Sequence, residues 1–491
     1  MRPCFCLFQQ RLPVSIDKCF LQRLSYSIDT LQIYQKEGFF MASSRVKDMT
    51  SGSPGKLLLA FALPVLGSNL LQNIYNLVDA TLAGHLYGAS ALAAIGATAS
   101  IYGLLISLAS GMNGGFEIVL ARAFGSHDEE KFRRAIVTML VLNLAVSGTI
   151  ALLSCLLIRP ILHLMNTPED IFPQASRYIL IILAGMPITA MYNMESSLMR
   201  SLGNSRTPLL FLIVSTLANV LLDLLFVLAF DWGVTGIALA TILAQLTSAV
   251  LCFFYILRFY PELHFRREHT KPEKALYTEM FATGVSMALM SSIFSIGSVC
   301  VQSAINSFGT LTIGAYTAAR KVTEFLNMPG ISLARSLTVF VSQNYGAGKI
   351  ERCKKACRLN MCYAMVISIC MILIVLLFGA PLHRLISGSD DPELTRLGVL
   401  YMRIEVGGFP VLNILQSIRM FMQGVGRKIV PIISSTIELI GKLLFTWIFI
   451  PMLGFLGVCI SEPILWVACT IFLIFSYIHV TRQLQEGAAT I

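Results

Sequence analysis

The chain has 491 residues, 55% of them apolar and 13% charged, and its 37 Lys and Arg outnumber 27 Asp and Glu for a net charge of +10. Soluble globular chains carry about 25% charged residues, so this one lacks the polar surface to cover a water-soluble particle of its size. Disorder, soluble enzymes and nucleic-acid binders are thereby excluded, and a polytopic membrane protein remains.

Residues 1–40 contain no uninterrupted apolar stretch and are not a secretory signal. The sequence restarts at Met41 and Met49, so 1–48 reads as an extension, either disordered or an artefact of an upstream start codon. Twelve apolar stretches follow, each about 20 residues long as needed to cross a ~30 Å hydrocarbon core. They lie near 57–81, 91–120, 135–158, 172–199, 207–230, 235–257, 276–303, 312–341, 359–380, 395–422, 429–451 and 456–479. Basic residues collect in alternate connections, for example Lys131, Arg133 and Arg134, then Arg266, Arg267 and Lys271, then Lys349, Arg352 and Lys354. The opposite set holds only Arg159, Arg177, Arg384 and Arg396. Basic connections stay in the cytoplasm, which predicts a multi-pass cell (inner) membrane protein with both termini cytoplasmic. The positive charge is thus a topology signal, aided by anionic lipid.

The polar stretch 259–275 falls midway and divides the chain into an N-lobe of six spans (49–258) and a C-lobe of six (276–480), with a cytoplasmic tail at 481–491. A shift of 221 lays Phe124-Gly125-Ser126-His127 on Tyr345-Gly346-Ala347-Gly348. Gly203 through Pro208 recurs as Gly426 through Pro431. Each half has an even number of spans, so the repeats share one orientation, and a substrate path between two lobes is implied.

Polar side chains inside the spans define the candidate site. Gln72, Tyr75, Asn76 and Asp79 in span 1 are spaced by three, four and seven residues, which puts them on one helical face. Asn219 and Asp223 in span 5 stack one turn apart, with Tyr178 and Asn193 in span 4 and Thr241 in span 6 as further oxygen donors. Two carboxylates with amide, hydroxyl and phenol oxygens suit a monovalent cation, and equally a shared proton. An intramembrane acid defaults to function. In the C-lobe, Glu438 and Lys442 have ion-pair spacing, Glu324 lies near Arg320, and Glu405 lies near Arg403. Asn413 in span 10 is a further, weaker candidate. Met186, Met191, Met194 and Phe294 are expected to line an apolar substrate wall. The cysteines show no zinc-ligand spacing, and Cys353 and Cys357 read as free thiols facing the cytosol.

The run from Pro64 through Asn69, Gln72, Tyr75, Asn76 and Asp79, followed by Gly88 to Gly96, resembles the first two spans of the multidrug and toxic compound extrusion (MATE) family. So do Asn219-Val220-Leu221-Leu222-Asp223, Gly233 to Thr241, and Val341-Ser342-Gln343-Asn344-Tyr345-Gly346-Ala347-Gly348. The likeness covers about residues 49–480 and is closest to the prokaryotic DinF-like branch. It implies an all-α membrane protein of twelve transmembrane helices in two six-helix lobes. It implies no enzyme and no cofactor, but export of small lipophilic cations in exchange for H⁺ or Na⁺. Carried over residue by residue, it assigns cation coupling to Asp79, Asn219, Asp223 and Thr241, surrounding positions to Gln72, Tyr75 and Tyr178, and a hinge to Pro64. The NorM-like carboxylates have no counterpart here: Cys300 stands where Asp79 repeats, and Asn413 aligns with the span-10 acid. A flippase of a lipid-linked precursor in the same superfamily is the alternative, supported by Arg320, Lys321, Arg335, Arg419 and Lys442. The chain reads as a monomer in lipid without a nucleic-acid partner.

Overall fold

The computed structural model describes residues 48–489 apart from 166 and 261–270, with the backbone alone at 75–92, 100, 228 and 487–489. The extension before residue 48 and most of the inter-lobe linker lie outside the described residues. The described elements are all helices.

Spans 1 and 2 belong to one helical run, Pro54–Gly125, with Pro64 inside it. A straight helix of its 72 residues would be about 108 Å long. Both ends nevertheless meet Gln343: Met49 donates its N–H to Oε1 at 2.9 Å, and a Cβ on Gly125 would overlap the Gln343 backbone. The run is therefore two antiparallel arms. Span 3 is Glu129–Leu164, capped by Asp128, whose Oδ1 accepts from the Lys131 N–H at 3.0 Å. Span 4 is a broken pair, Phe172–Ala184 and Met186–Ser201, bent by 42° at Gly185. Span 5, Arg206–Leu224, runs into a π-helical turn at Leu225–Ala229, and span 6 is Gly233–Phe259.

The second half repeats this pattern. Spans 7, 8 and 9 are Lys274–Ile305, Thr310–Gly346 and Ile350–Ser387. Span 10 is again broken, Pro392–Gly407 and Phe409–Gly424, with a 46° bend at Gly408. Span 11, Ile429–Leu444, also ends in a π-helical turn, Phe445–Phe449, and a last turn Ile450–Leu453. Span 12, Phe455–Ala489, continues as helix through the residues expected to form a tail.

The matched punctuation has local causes. Pro187 and Pro410 each follow the bend by two residues, and their missing N–H leaves a carbonyl of the preceding turn unbonded. The backbone even repeats where the side chain does not suit it: His127 has φ 55° where Gly348 has φ 71°. Two six-helix lobes related by an internal repeat make up the membrane domain.

Nine described helices are apolar and long enough to cross a membrane, and the two broken pairs raise the number to eleven. Span 8 is the twelfth, too polar to pass the same test because it carries Arg320, Lys321, Glu324 and Arg335. It is sheltered from lipid, packed against the arms of spans 1 and 2 and against spans 9 and 10.

The lobes meet at the end that carries the basic connections. Arg122 of span 2 pairs with Glu279 of span 7 at 2.6 Å, and Gln343 Nε2 donates to the Ser201 carbonyl at 2.6 Å. Spans 2 and 7 cross at glycines, where a Cβ on Gly115 would sit 2.5 Å from the Gly284 Cα. Residues 49–52 form a strap over this end: the Met49 carbonyl accepts from Asn344 and Arg352, and the Thr50 carbonyl from Lys349. Further along, Asn69 Nδ2 donates to Ser332 Oγ at 3.1 Å, and Asn73 Nδ2 reaches Met328 Sδ at 4.0 Å. Beyond that level no inter-lobe hydrogen bond occurs among the described residues. The basic end is closed.

Candidate functional site

Within the N-lobe, spans 5 and 6 are antiparallel neighbours in fixed register. Ser248 Oγ donates to the Phe211 carbonyl at 2.9 Å, and Ser215 Oγ to the Ala244 carbonyl at 3.1 Å. Carried inward by one turn, that register sets Asn219 opposite Ala240 and Thr241, and Asp223 opposite Gly236 and Ile237. Asn219 and Asp223 are both 0% exposed. Neither the nitrogen nor the oxygen of the Asn219 amide has a hydrogen-bond partner among the described residues. Thr241 is buried and donates Oγ to the Ile237 carbonyl at 3.0 Å, which leaves its lone pairs available. Tyr178 packs on Val227 and Ile237 at the same level. The π-helical turn begins two residues after Asp223, and such turns leave backbone carbonyls without regular partners, frequently at functional sites.

The structure therefore brings Asn219, Asp223, Thr241 and Tyr178 to one inter-helix seam. Gln72 is exposed on the first arm and Asn193 is half-buried in span 4. The side chains of Tyr75, Asn76 and Asp79 lie outside the described residues. Pro64 sits inside its helix, and its carbonyl accepts from Ser68 Oγ at 3.0 Å. A cation needs oxygens that nothing else claims, and the buried Asn219 amide fits that requirement.

The C-lobe has at the equivalent seam a network of charges that largely cancel. Glu438 accepts from Arg419 at 2.9 Å and lies 3.4 Å from Lys442, and Lys442 in turn lies 3.1 Å from Glu462. The Lys442 ammonium also sits 4.5 Å from the Phe294 ring centroid, a cation–π arrangement. The expected Glu438–Lys442 pair is present, enlarged by two partners. Glu324 pairs with Arg320 at 2.9 Å, also as expected.

Several expectations need correction. Glu405 does not pair with Arg403: residues two apart on a helix point about 200° from one another, so Arg403 is exposed while Glu405 is buried among Tyr401, Glu462 and Lys442. Asn413 is buried in the lobe, donating to Ser368 Oγ at 2.8 Å. Met186 and Met194 are also core residues, at 1% and 6% exposed, which leaves Met191 and Phe294 as the accessible members of the expected wall. Cys353 and Cys357 are fully buried rather than facing the cytosol. Glu462 escaped the sequence reading, although a carboxylate next to Pro463 inside an apolar run was the available signal.

A family profile described as MatE matches residues 64–225 and, a second time, residues 284–448. The chain belongs to the MatE family. The two matches coincide with the two lobes, and MATE proteins are multidrug efflux transporters rather than enzymes. Among its relatives is the probable multidrug resistance protein YoeA of Bacillus subtilis, 26% identical over 428 residues that cover 85% of this chain and 92% of the relative. The multidrug export protein MepA of Staphylococcus haemolyticus is 21% identical over 443 residues, 89% of this chain and 96% of that one. The fold matches a crystal structure of MATE in the bent conformation at TM-score 0.86 and 21% identity, covering 91% of this chain and all of the other. An outward-facing multidrug resistance MATE transporter matches at TM-score 0.84 and 22% identity, covering 90% and 99%.

Proposed function

We propose that this MATE transporter exports lipophilic, often cationic compounds in exchange for H⁺ or Na⁺, with coupling confined to the N-lobe. The observation that carries the reading is the fully buried pair Asn219 and Asp223, one turn apart at the start of a π-helical turn. Holding an ionised carboxylate at 0% exposure between apolar helices costs several kcal/mol in desolvation. A proton or a small cation relieves that cost, so the lobe has two states that differ by one bound charge.

The cycle follows from that difference. With basic connections cytoplasmic, the closed end faces the cytoplasm and the cleft opens outward. Entry of the coupling cation at Asp223, with Asp79, Asn219 and Thr241 as further ligands, neutralises the seam and rearranges span 1 about Pro64, where the helix already lacks a hydrogen bond. Drug is then released outward and the lobes rock back, breaking the Arg122–Glu279 pair. The driving free energy is the difference in the cation's affinity for the two states; equal affinity drives nothing. Gln72, Tyr75, Asn76, Tyr178 and Asn193 act around this site. The matches to the DinF-like pattern support this assignment, and the self-neutralising C-lobe network argues against a coupling site there.

The test is drug flux in proteoliposomes with a pH gradient and a Na⁺ gradient imposed separately. Flux driven by one gradient and not the other identifies the coupling ion. Flux that ignores both, or translocation of a lipid headgroup in place of drug, rejects the antiport reading.

A further inference from the structure

Span 8 leaves one stripe of side chains uncovered. Lys321, Glu324, Phe325, Ile331 and Arg335 are exposed, while Ser332 to Ala334 and Ser336 to Asn344 are buried. Separations of three, four and seven residues place the stripe on a single face. Its lower end is Arg335. Next to it, Ser336 donates Oγ to the Leu58 carbonyl of span 1 at 2.8 Å, and two turns on Gln343 donates to the Ser201 carbonyl of span 4 at 2.6 Å. Arg200 and Glu117 of that opposite lobe are the charged groups within electrostatic reach of Arg335, so this part of span 8 borders the inter-lobe cleft. The Gly115–Gly284 crossing and the Arg122–Glu279 pair seal the lobes on the basic side of it. An exposed side chain at that position therefore lines the floor of the cleft.

The charge there does not cancel. Glu117 is already bonded by Arg200 at 3.2 Å, and Arg335 takes part in no ion pair or hydrogen bond among the described residues. Two guanidiniums against one carboxylate leave one positive charge at the floor. A guanidinium at membrane depth costs a few kcal/mol without a partner, and its planar fork of five donors matches a carboxylate or phosphate in a bidentate pair. We propose that Arg335 is the anion-binding point of the substrate cleft, taking the carboxylate or phosphate of an amphiphilic cargo that is zwitterionic or anionic. This names a cargo class for the efflux reading above and rests on it.

The experiment is equilibrium binding to the purified full-length protein without any gradient, using a rhodamine with a free carboxylate and its methyl ester. The wild-type protein is expected to bind the acid about tenfold more tightly than the ester, the scale of one charge-assisted pair. Arg335→Gln should erase that preference and leave ester affinity unchanged, which also reports an intact fold; Arg335→Lys should restore part of it. Displacement of the acid by phosphatidylglycerol in mixed micelles, absent in Arg335→Gln and absent with phosphatidylcholine, would assign the anion to a lipid headgroup. An unchanged acid preference in Arg335→Gln overturns the proposal. So does equal loss of acid and ester in both variants, which would make Arg335 a packing element. Because no gradient is imposed, failure of ion-driven flux would reject the antiport reading and leave this result standing.

Discussion

Asp223 of span 5 and Glu438 of span 11 are both buried carboxylates, yet their surroundings set opposite consequences for neutralising them. Asp223→Asn keeps the shape of the side chain and removes only the ionisable group. That variant should insert and fold normally and lose gradient-driven efflux. Asn219→Ala and Thr241→Ala should each weaken cation affinity by about 1–2 kcal/mol, the usual loss for one neutral oxygen, read as a rise in the cation concentration that half-saturates transport. Glu438 instead holds Arg419 and Lys442. Glu438→Gln leaves two buried cations short of one countercharge and should destabilise the protein by about 3 kcal/mol, measured as a lowered melting temperature in detergent. Coupling should survive in whatever fraction stays folded. Asp223 was legible in the sequence because a carboxylate interrupts an apolar run. The partners of Glu438 were only half legible: Lys442 lies one turn away, whereas Arg419 and Glu462 come from other spans and no local spacing announces them.

At the scale of elements, hydrophobic length and loop charge were enough to find the spans, and their punctuation located the repeat. The breaks at Gly185 and Gly408 were not anticipated, because each half-helix is individually apolar enough to pass as part of one stretch. The strap at residues 49–52 was also invisible, since its bonds run to amides and guanidiniums almost three hundred positions away. Gln343 joins this strap to the carbonyl of Ser201, accepting from one and donating to the other. Gln343→Ala removes both bonds and should weaken closure of the basic end by about 1–3 kcal/mol. Spin labels on the two connections flanking that end should then report a larger population of the long distance. An unchanged distance distribution would show that the glycine crossing of spans 2 and 7 closes the lobes unaided. That crossing predicts its own result: Gly115→Val places branched carbon where the Gly284 backbone sits, so the closed end should fail to form and transport should stop while membrane insertion is retained.

For the whole molecule, a closed basic end and two lobes of different character describe an asymmetric machine on a symmetric frame. The C-lobe seam is locked by its own cations, and the N-lobe seam is built from neutral and acidic oxygens. In the proposed cycle coupling belongs to one lobe, and the other supplies a wall against which substrate is held. The most direct test is cation-driven efflux by purified Asp223→Asn and Glu405→Gln variants, reconstituted side by side with the wild-type protein. Loss of gradient dependence in Asp223→Asn with its persistence in Glu405→Gln is the predicted result. Full gradient-driven activity in Asp223→Asn together with collapse in Glu405→Gln would contradict the account and move coupling to the C-lobe.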